Sequence, residues 1–242
     1  MPPRQMRLTP DLVARVLPHD GVSGLVSTRS DRPTDADYAA AAATLLKDRP
    51  ASGEVWVFAY GSLIWNPEFA FAEERLGLVQ GWHRAFCLGW VRIYRGTPER
   101  PGIMLALDRG GSCRGVVFRL PTGAVEANLV TLLRREMPIK GDTIPARWVT
   151  AHTAHGPVRA ITFPISRSSD AYLPGLTEVQ VVEALATAAG ERGSMAEYLH
   201  STVSHLEQRG IHDRYLWRLQ ELVADRIARD QAARASPTSM DQ

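Results

Sequence analysis

The chain has 242 residues, 45% hydrophobic and 22% charged, which is ordinary globular composition and long enough to bury a core of its own. Its 28 basic and 26 acidic residues leave a net charge of +2, and with an isoelectric point of 8.7 this balance argues against nucleic acid or a membrane surface as partner. Two cysteines, Cys87 and Cys113, are too few for a disulfide scaffold, the start MPPRQMRLTPDLV has no apolar signal core, and no apolar run approaches the roughly 20 residues of a membrane span. A soluble cytoplasmic protein with buried thiols is expected.

In chain order, residues 1–50 read as a helical extension. Thr9-Pro10-Asp11 caps a short helix over Leu12, Val13, Val16 and Leu17. A polar stretch with glycine and serine follows. Thr34-Asp35-Ala36-Asp37 then opens an alanine-rich helix, YAAAAATLLK, which ends at Arg49-Pro50. Alanine brings helix propensity but little packing area, so this helix is expected to lie on another surface.

From 54 to 165 the signals are mostly strands. EVWVFAY is the first, and RLGLVQGWHRAFCLGW is the second, with glycines that mark bends or bulges. GIMLALD and CRGVVFRL flank Arg109-Gly110-Gly111-Ser112, predicted to be a hairpin turn. One helix, from about Thr122 to Met137, interrupts the strands. RWVTAH and VRAITFPI then flank a turn at His155-Gly156-Pro157.

After 170 the pattern is helical. Thr177 to Gln180 and Ser194 to Glu197 have the capping-box form, Gly210 stops the second of these helices, and Asp213 caps a last one. That last helix carries Leu216, Leu219, Leu222, Val223 and Ile227 on one stripe. Residues 233–242 are expected to be a disordered tail. Strands followed by helices argue for an α+β fold, and closely spaced strands with glycine bends suit a small closed or half-closed barrel.

Two places could carry chemistry. The first strand ends on Tyr60-Gly61-Ser62. A glycine turn there can gather backbone N–H groups into an anion-binding hollow, beside a phenol and a small hydroxyl; it can equally be an ordinary turn with a core tyrosine. The second is the inserted helix, whose stripe Val125, Leu129, Leu132 and Leu133 continues onto Glu136. A carboxylate on the buried stripe at a helix C-terminus should have a raised pKa, as a general base working near neutral pH needs. It can instead be a salt bridge with Arg134, Arg135, Lys140 or an arginine across the barrel. The loop YRGTPERPG, residues 94–102, offers Arg95 or Arg100 to an anion, or is simply a proline-stiffened surface loop.

Other chemistries lack their signals. There is no G-x-S-x-G, no P-loop and no G-x-G-x-x-G. His152 and His155 would point to opposite faces of a strand and make a poor metal pair. Cys87 has no evident partner base. A site without metal or cofactor is expected.

The segments VFAYGSLIWNPEF, YRGTPERPG, GGSCRGVVFRL, RREM and PARWV, in that order, closely resemble the ChaC-type γ-glutamylcyclotransferases, and EYLHSTVSHLEQRGIHDRYLWRL resembles that family's C-terminal region. The resemblance spans about residues 54 to 227. It implies a compact mixed barrel with flanking helices, a domain of residues 51–232, and a lyase that cleaves glutathione into 5-oxoproline and cysteinylglycine. It implies further that Ala59, Tyr60, Gly61, Ser62, Leu63 and Ile64 hold the γ-glutamyl group, and that Glu136 is the catalytic acid/base within hydrogen-bonding reach of that loop. Arg95 is a candidate to share the anion. Cyclisation of other γ-glutamyl amines or dipeptides, or non-catalytic binding of such compounds, are the alternatives. A homodimer is compatible with the sequence.

Overall fold

The computed structural model describes residues 4–17, 32–92, 94–138 and 144–235. Residues 18–31 of the polar stretch after the first helix lie outside the described residues, as do residues 236–242 of the expected tail, whereas its first three residues, 233–235, are the last of a helix. The chain forms two compact units. One comprises residues 28–88 and 105–174, and the other residues 1–27, 89–104 and 175–242. The expected extension, residues 1–50, is thus divided between the two.

The first unit is a closed barrel with strand order β1-β3-β2-β4-β5. The strands are β1 (Trp56–Ala59), β2 (Glu73–Val91), β3 (Gly102–Arg119), β4 (Arg147–Thr153) and β5 (Gly156–Thr162). β1 runs antiparallel to β3, with Ala59 opposite Val116. It closes the barrel by running parallel to β5, with Val57 opposite Ile161. The alternation of β1 sends Trp56 and Phe58 into a core with Val79, Leu107, Val117, Val149, Ala151 and Ala160.

Gly110 and Gly111 do not form the predicted hairpin turn. Residues 102–119 make one continuous strand, and the two glycines, at φ 106° and 66°, sit inside it. The conformation is one that glycine adopts freely. Here it bulges the strand opposite β2, where the Nδ1 of His83 meets the Gly110 carbonyl at 3.1 Å. Gly81 in β2, at φ 80°, is a second such bulge, of the kind the glycines of that strand foretold.

Two helices complete this unit, α2 (Asp35–Lys47) and α3 (Val125–Glu136), and they pack on each other. Thr34 and Asp37 close a reciprocal capping box at the start of α2. Along α3, Leu129, Leu132 and Leu133 are all at most 1% exposed. Burying each is worth roughly 1.5–3 kcal/mol, so together they fix the rotation of the helix and therefore the direction of Glu136, one turn further on.

The second unit contains α1 (Pro10–Val13), α4 (Glu178–Thr187), the short pair β6 (Ala189–Gly190) and β7 (Gly193–Ser194), α5 (Met195–Gln208) and α6 (Arg214–Ala235). The caps fall where the sequence placed them. Thr177 caps α4, Ser194 caps α5, and the Asp213 carboxylate accepts from the N–H groups of Tyr215 and Leu216. Gly210, at φ 71°, follows the end of α5. Among the described residues, no helix is long and apolar enough to cross a membrane.

Candidate active site

Strand β1 delivers the Tyr60 loop to the barrel's end. The Tyr60 ring packs partly against the barrel core, and its hydroxyl donates to the Phe163 carbonyl at 2.8 Å. The phenol thus anchors the loop. Arg84, on β2 and only 6% exposed, donates from Nε to the Tyr60 carbonyl at 2.6 Å and from Nη2 to the Arg114 carbonyl. A buried guanidinium therefore holds the first residue of the loop by its backbone.

Gly61 then turns the chain, at φ −137° and ψ −129°, into a 3-10 turn over Ser62–Ile64. The Ile64 N–H donates to Gly61 O at 2.9 Å and the Asn66 N–H to Ser62 O at 2.8 Å. Ala59, Leu63 and Ile64 are buried, while Ser62 is half-buried. No side chain caps the start of this turn among the described residues. The first N–H groups of such a turn favour an anionic partner.

Glu136 ends α3 with its side chain 18% exposed. Its Oε1 lies 3.0 Å from Nε of Arg135. Arg135 donates from Nη2 to Ser62 Oγ at 3.0 Å, and from Nη1 to the Asn66 carbonyl, with Glu68 at 3.6 Å. Of the ion-pair partners the sequence offered for Glu136, Arg135 is the one it takes among the described residues. The carboxylate is paired with Arg135, and that same guanidinium joins it to the Tyr60 loop.

Burial pushes the Glu136 pKa up and outweighs the Arg135 cation and its hydrogen bond, which pull it down; the Glu68 charge adds to the rise. An upward shift is the direction that acid/base work near neutral pH calls for.

Not every sequence candidate joins this cluster. Arg95 belongs to the second unit. There its Nη1 donates to the Ser194 carbonyl at 2.9 Å and pairs with Glu197 at 3.1 Å, and its guanidinium stands over the Tyr198 ring. Cys87 is buried and its thiol is pushed up to about 12, chiefly by desolvation, with Asp108 adding to the rise. It is held as the neutral thiol and is no nucleophile.

Two residues escaped the sequence reading. Arg84 lies two positions from Trp82 and from Phe86 on β2, so strand alternation puts it on a face that includes the buried Phe86. A lone arginine in that register was the available signal. Arg135 was named only as a salt-bridge partner; nothing in the sequence tells that its other two nitrogens reach 69 and 73 positions back, to Asn66 and Ser62.

A closed five-stranded barrel with flanking helices places the chain among the γ-glutamyl cyclotransferase folds. A crystal structure of the yeast γ-glutamyl cyclotransferase specific to glutathione matches with a TM-score of 0.64 at 20% identity, covering 71% of this chain and 96% of the other. The family model of ChaC-like proteins matches residues 55–226, and the chain belongs to that family. It is 40% identical over 176 residues to the glutathione-specific γ-glutamylcyclotransferase of Escherichia coli K12, covering 72% of this chain and 75% of that one. It is 31% identical over 148 residues to the mouse glutathione-specific γ-glutamylcyclotransferase 1, covering 60% and 66%.

Proposed function

We propose that this chain cyclises the γ-glutamyl group of glutathione to 5-oxoproline and releases cysteinylglycine, the activity for which its bacterial and mouse relatives are named. The observation that carries the reading for this chain is the largely buried Glu136, coupled through one guanidinium to Ser62 of the Tyr60 loop.

The substrate brings its own nucleophile. Its α-amine attacks the γ-carbonyl carbon, a C–N bond closes the five-membered ring, and the C–N bond to the cysteinyl residue breaks. The α-ammonium loses two protons on its way to the lactam N–H, one before attack and one after, and the departing nitrogen gains two and leaves as an ammonium; Glu136 takes each proton and hands it on, so protons and electrons balance without water, metal or redox partner. The N–H groups of Ser62 and Leu63, which open the turn, receive the α-carboxylate together with Arg135 and hold the glutamyl chain folded back on itself. Orientation of this kind is worth several kcal/mol, and a positioned proton-transfer group adds about 10²- to 10⁴-fold.

Glu136→Gln keeps the shape and removes the titrating oxygen. Released 5-oxoproline should fall by about 10²- to 10⁴-fold in kcat, while the variant still binds glutathione by calorimetry. Turnover near the wild-type rate would remove Glu136 from the mechanism.

A further inference from the structure

The Arg135–Glu136 pair is bracketed by contacts to a helix that the family match does not include. The match begins at residue 55, and α2 spans Asp35–Lys47. Just before the pair, Arg134 donates to Asp35 at 2.8 Å, and its guanidinium lies over the Tyr38 ring at 5.7 Å. Just after it, the Met137 carbonyl accepts from the Tyr38 hydroxyl at 3.1 Å. Met137 is the C-cap of α3, where backbone carbonyls run out of helical partners. Tyr38 itself is 6% exposed.

At its other end α2 is tied to the barrel. The Leu45 carbonyl accepts from Nε1 of Trp148 on β4 at 2.9 Å, and Ala42 is fully buried. The capping box of Thr34 and Asp37 secures the first turn, which carries Asp35 and Tyr38. Helix ends fray unless something holds them. Here the last turn of α3 is held from both sides by one neighbouring helix.

We infer that α2 is a positioning element for the reaction, and that Tyr38 and Asp35 are positioning residues that hold the Arg135–Glu136 pair against the Ser62 turn. This rests on the reading of Glu136 as the proton-transfer group. Neither residue touches the substrate; both act through the backbone and side chains on either side of the pair.

The charges that act on Glu136 are Arg135 on its own helix and Glu68 on the loop after β1, whereas Arg134, Arg32, Asp35 and Asp37 act on Tyr38. Tyr38 stays a donor across the working range, because burial raises its hydroxyl further above 10, ahead of the opposing pull of Arg134.

The test is Tyr38→Phe, which deletes one hydroxyl and leaves the ring, with Asp35→Asn as a second variant. Tyr38→Phe should lower kcat for glutathione by about tenfold with KM nearly unchanged, and Asp35→Asn, whose ion pair with Arg134 is largely exposed, by less. The acid limb of the kcat profile should move toward lower pH, since a loosened last turn lets water reach the carboxyl. Trp148→Phe, which cuts only the far tie of α2, is the control. It should lose comparable thermal stability with a smaller loss of kcat than Tyr38→Phe and an unmoved acid limb. Wild-type kcat and an unmoved limb in Tyr38→Phe overturn the inference, and so does an equal loss of kcat in Trp148→Phe. The two levels separate cleanly: an active Glu136→Gln defeats the underlying reading, whereas an inactive Glu136→Gln beside a fully active Tyr38→Phe defeats the α2 inference alone.

Discussion

Gly115 sits on β3 beside the end of β1, and a single methyl there tests whether the Tyr60 loop is positioned by the barrel. A Cβ built on Gly115 would lie 2.7 Å from Cζ of Phe58 and closer still to the carbonyl oxygen of Ala59. Real Cβ atoms essentially never come within 3.0 Å of a neighbour. The nearest atom is backbone, so it has no rotamer by which to escape. Phe58 is fully buried in the barrel core and cannot swing away. β1 must therefore retreat from β3 by roughly half an ångström or more, an overpacking strain of about 1–3 kcal/mol. The retreat moves Ala59 and with it the loop that begins at Tyr60. A misplacement approaching 1 Å can cost about 10²-fold in rate, so Gly115→Ala should lower kcat/KM for glutathione by about 10- to 100-fold. The assay is 5-oxoproline release at varied glutathione, run beside a urea melt of the same preparation. A variant that folds with wild-type stability and wild-type kcat/KM would refute the link between strand spacing and loop position.

Arg135→Met removes the cation and hydrogen bond that hold the Glu136 pKa down, while burial, which already holds it above its ordinary 4.5, remains. The acid limb of kcat/KM should move to higher pH, and KM should rise as Ser62 and the Asn66 carbonyl lose their donor; a limb that moves lower would contradict the assignment. Asp108 tests the opposite sign. Burial pushes its carboxyl up, but bonds from Arg167, the Arg109 N–H and Tyr172 outweigh it and hold the pKa below the ordinary 3.8. Its stabilising share is therefore present above pH 3.8 and lost as pH falls through the lowered folded value. Asp108→Asn should lower the urea midpoint at pH 7, and the gap to wild type should close below pH 3.8; a gap that stays constant with pH would show that charge is not the cause.

The sequence by itself determined the local parts. Capping at Thr9, Thr34, Thr177, Ser194 and Asp213 follows from short side chains that satisfy nearby N–H groups, and a helix start needs no distant residue. The 3.6-residue stripe of α3 pointed at Glu136 because three buried leucines fix the helix rotation whatever they pack against.

What pairs with what was decided only in three dimensions. Arg109-Gly110-Gly111-Ser112 has the composition of a reversal, and glycine at positive φ serves a turn and a bulge equally; the long partner strand β2 makes it a bulge. Arg135 is one of several salt-bridge partners open to Glu136 in the sequence, and only the fold shows that its planar fork also joins Glu136 to a loop about 70 positions earlier. Helix α2 reads as an alanine-rich helix laid on another surface, but the sequence does not say which; it meets the last turn of α3 on both sides of that pair. Periodicity reports which face of an element is buried. It carries no information on which residue stands opposite, because that depends on how barrel closure brings distant stretches of chain together.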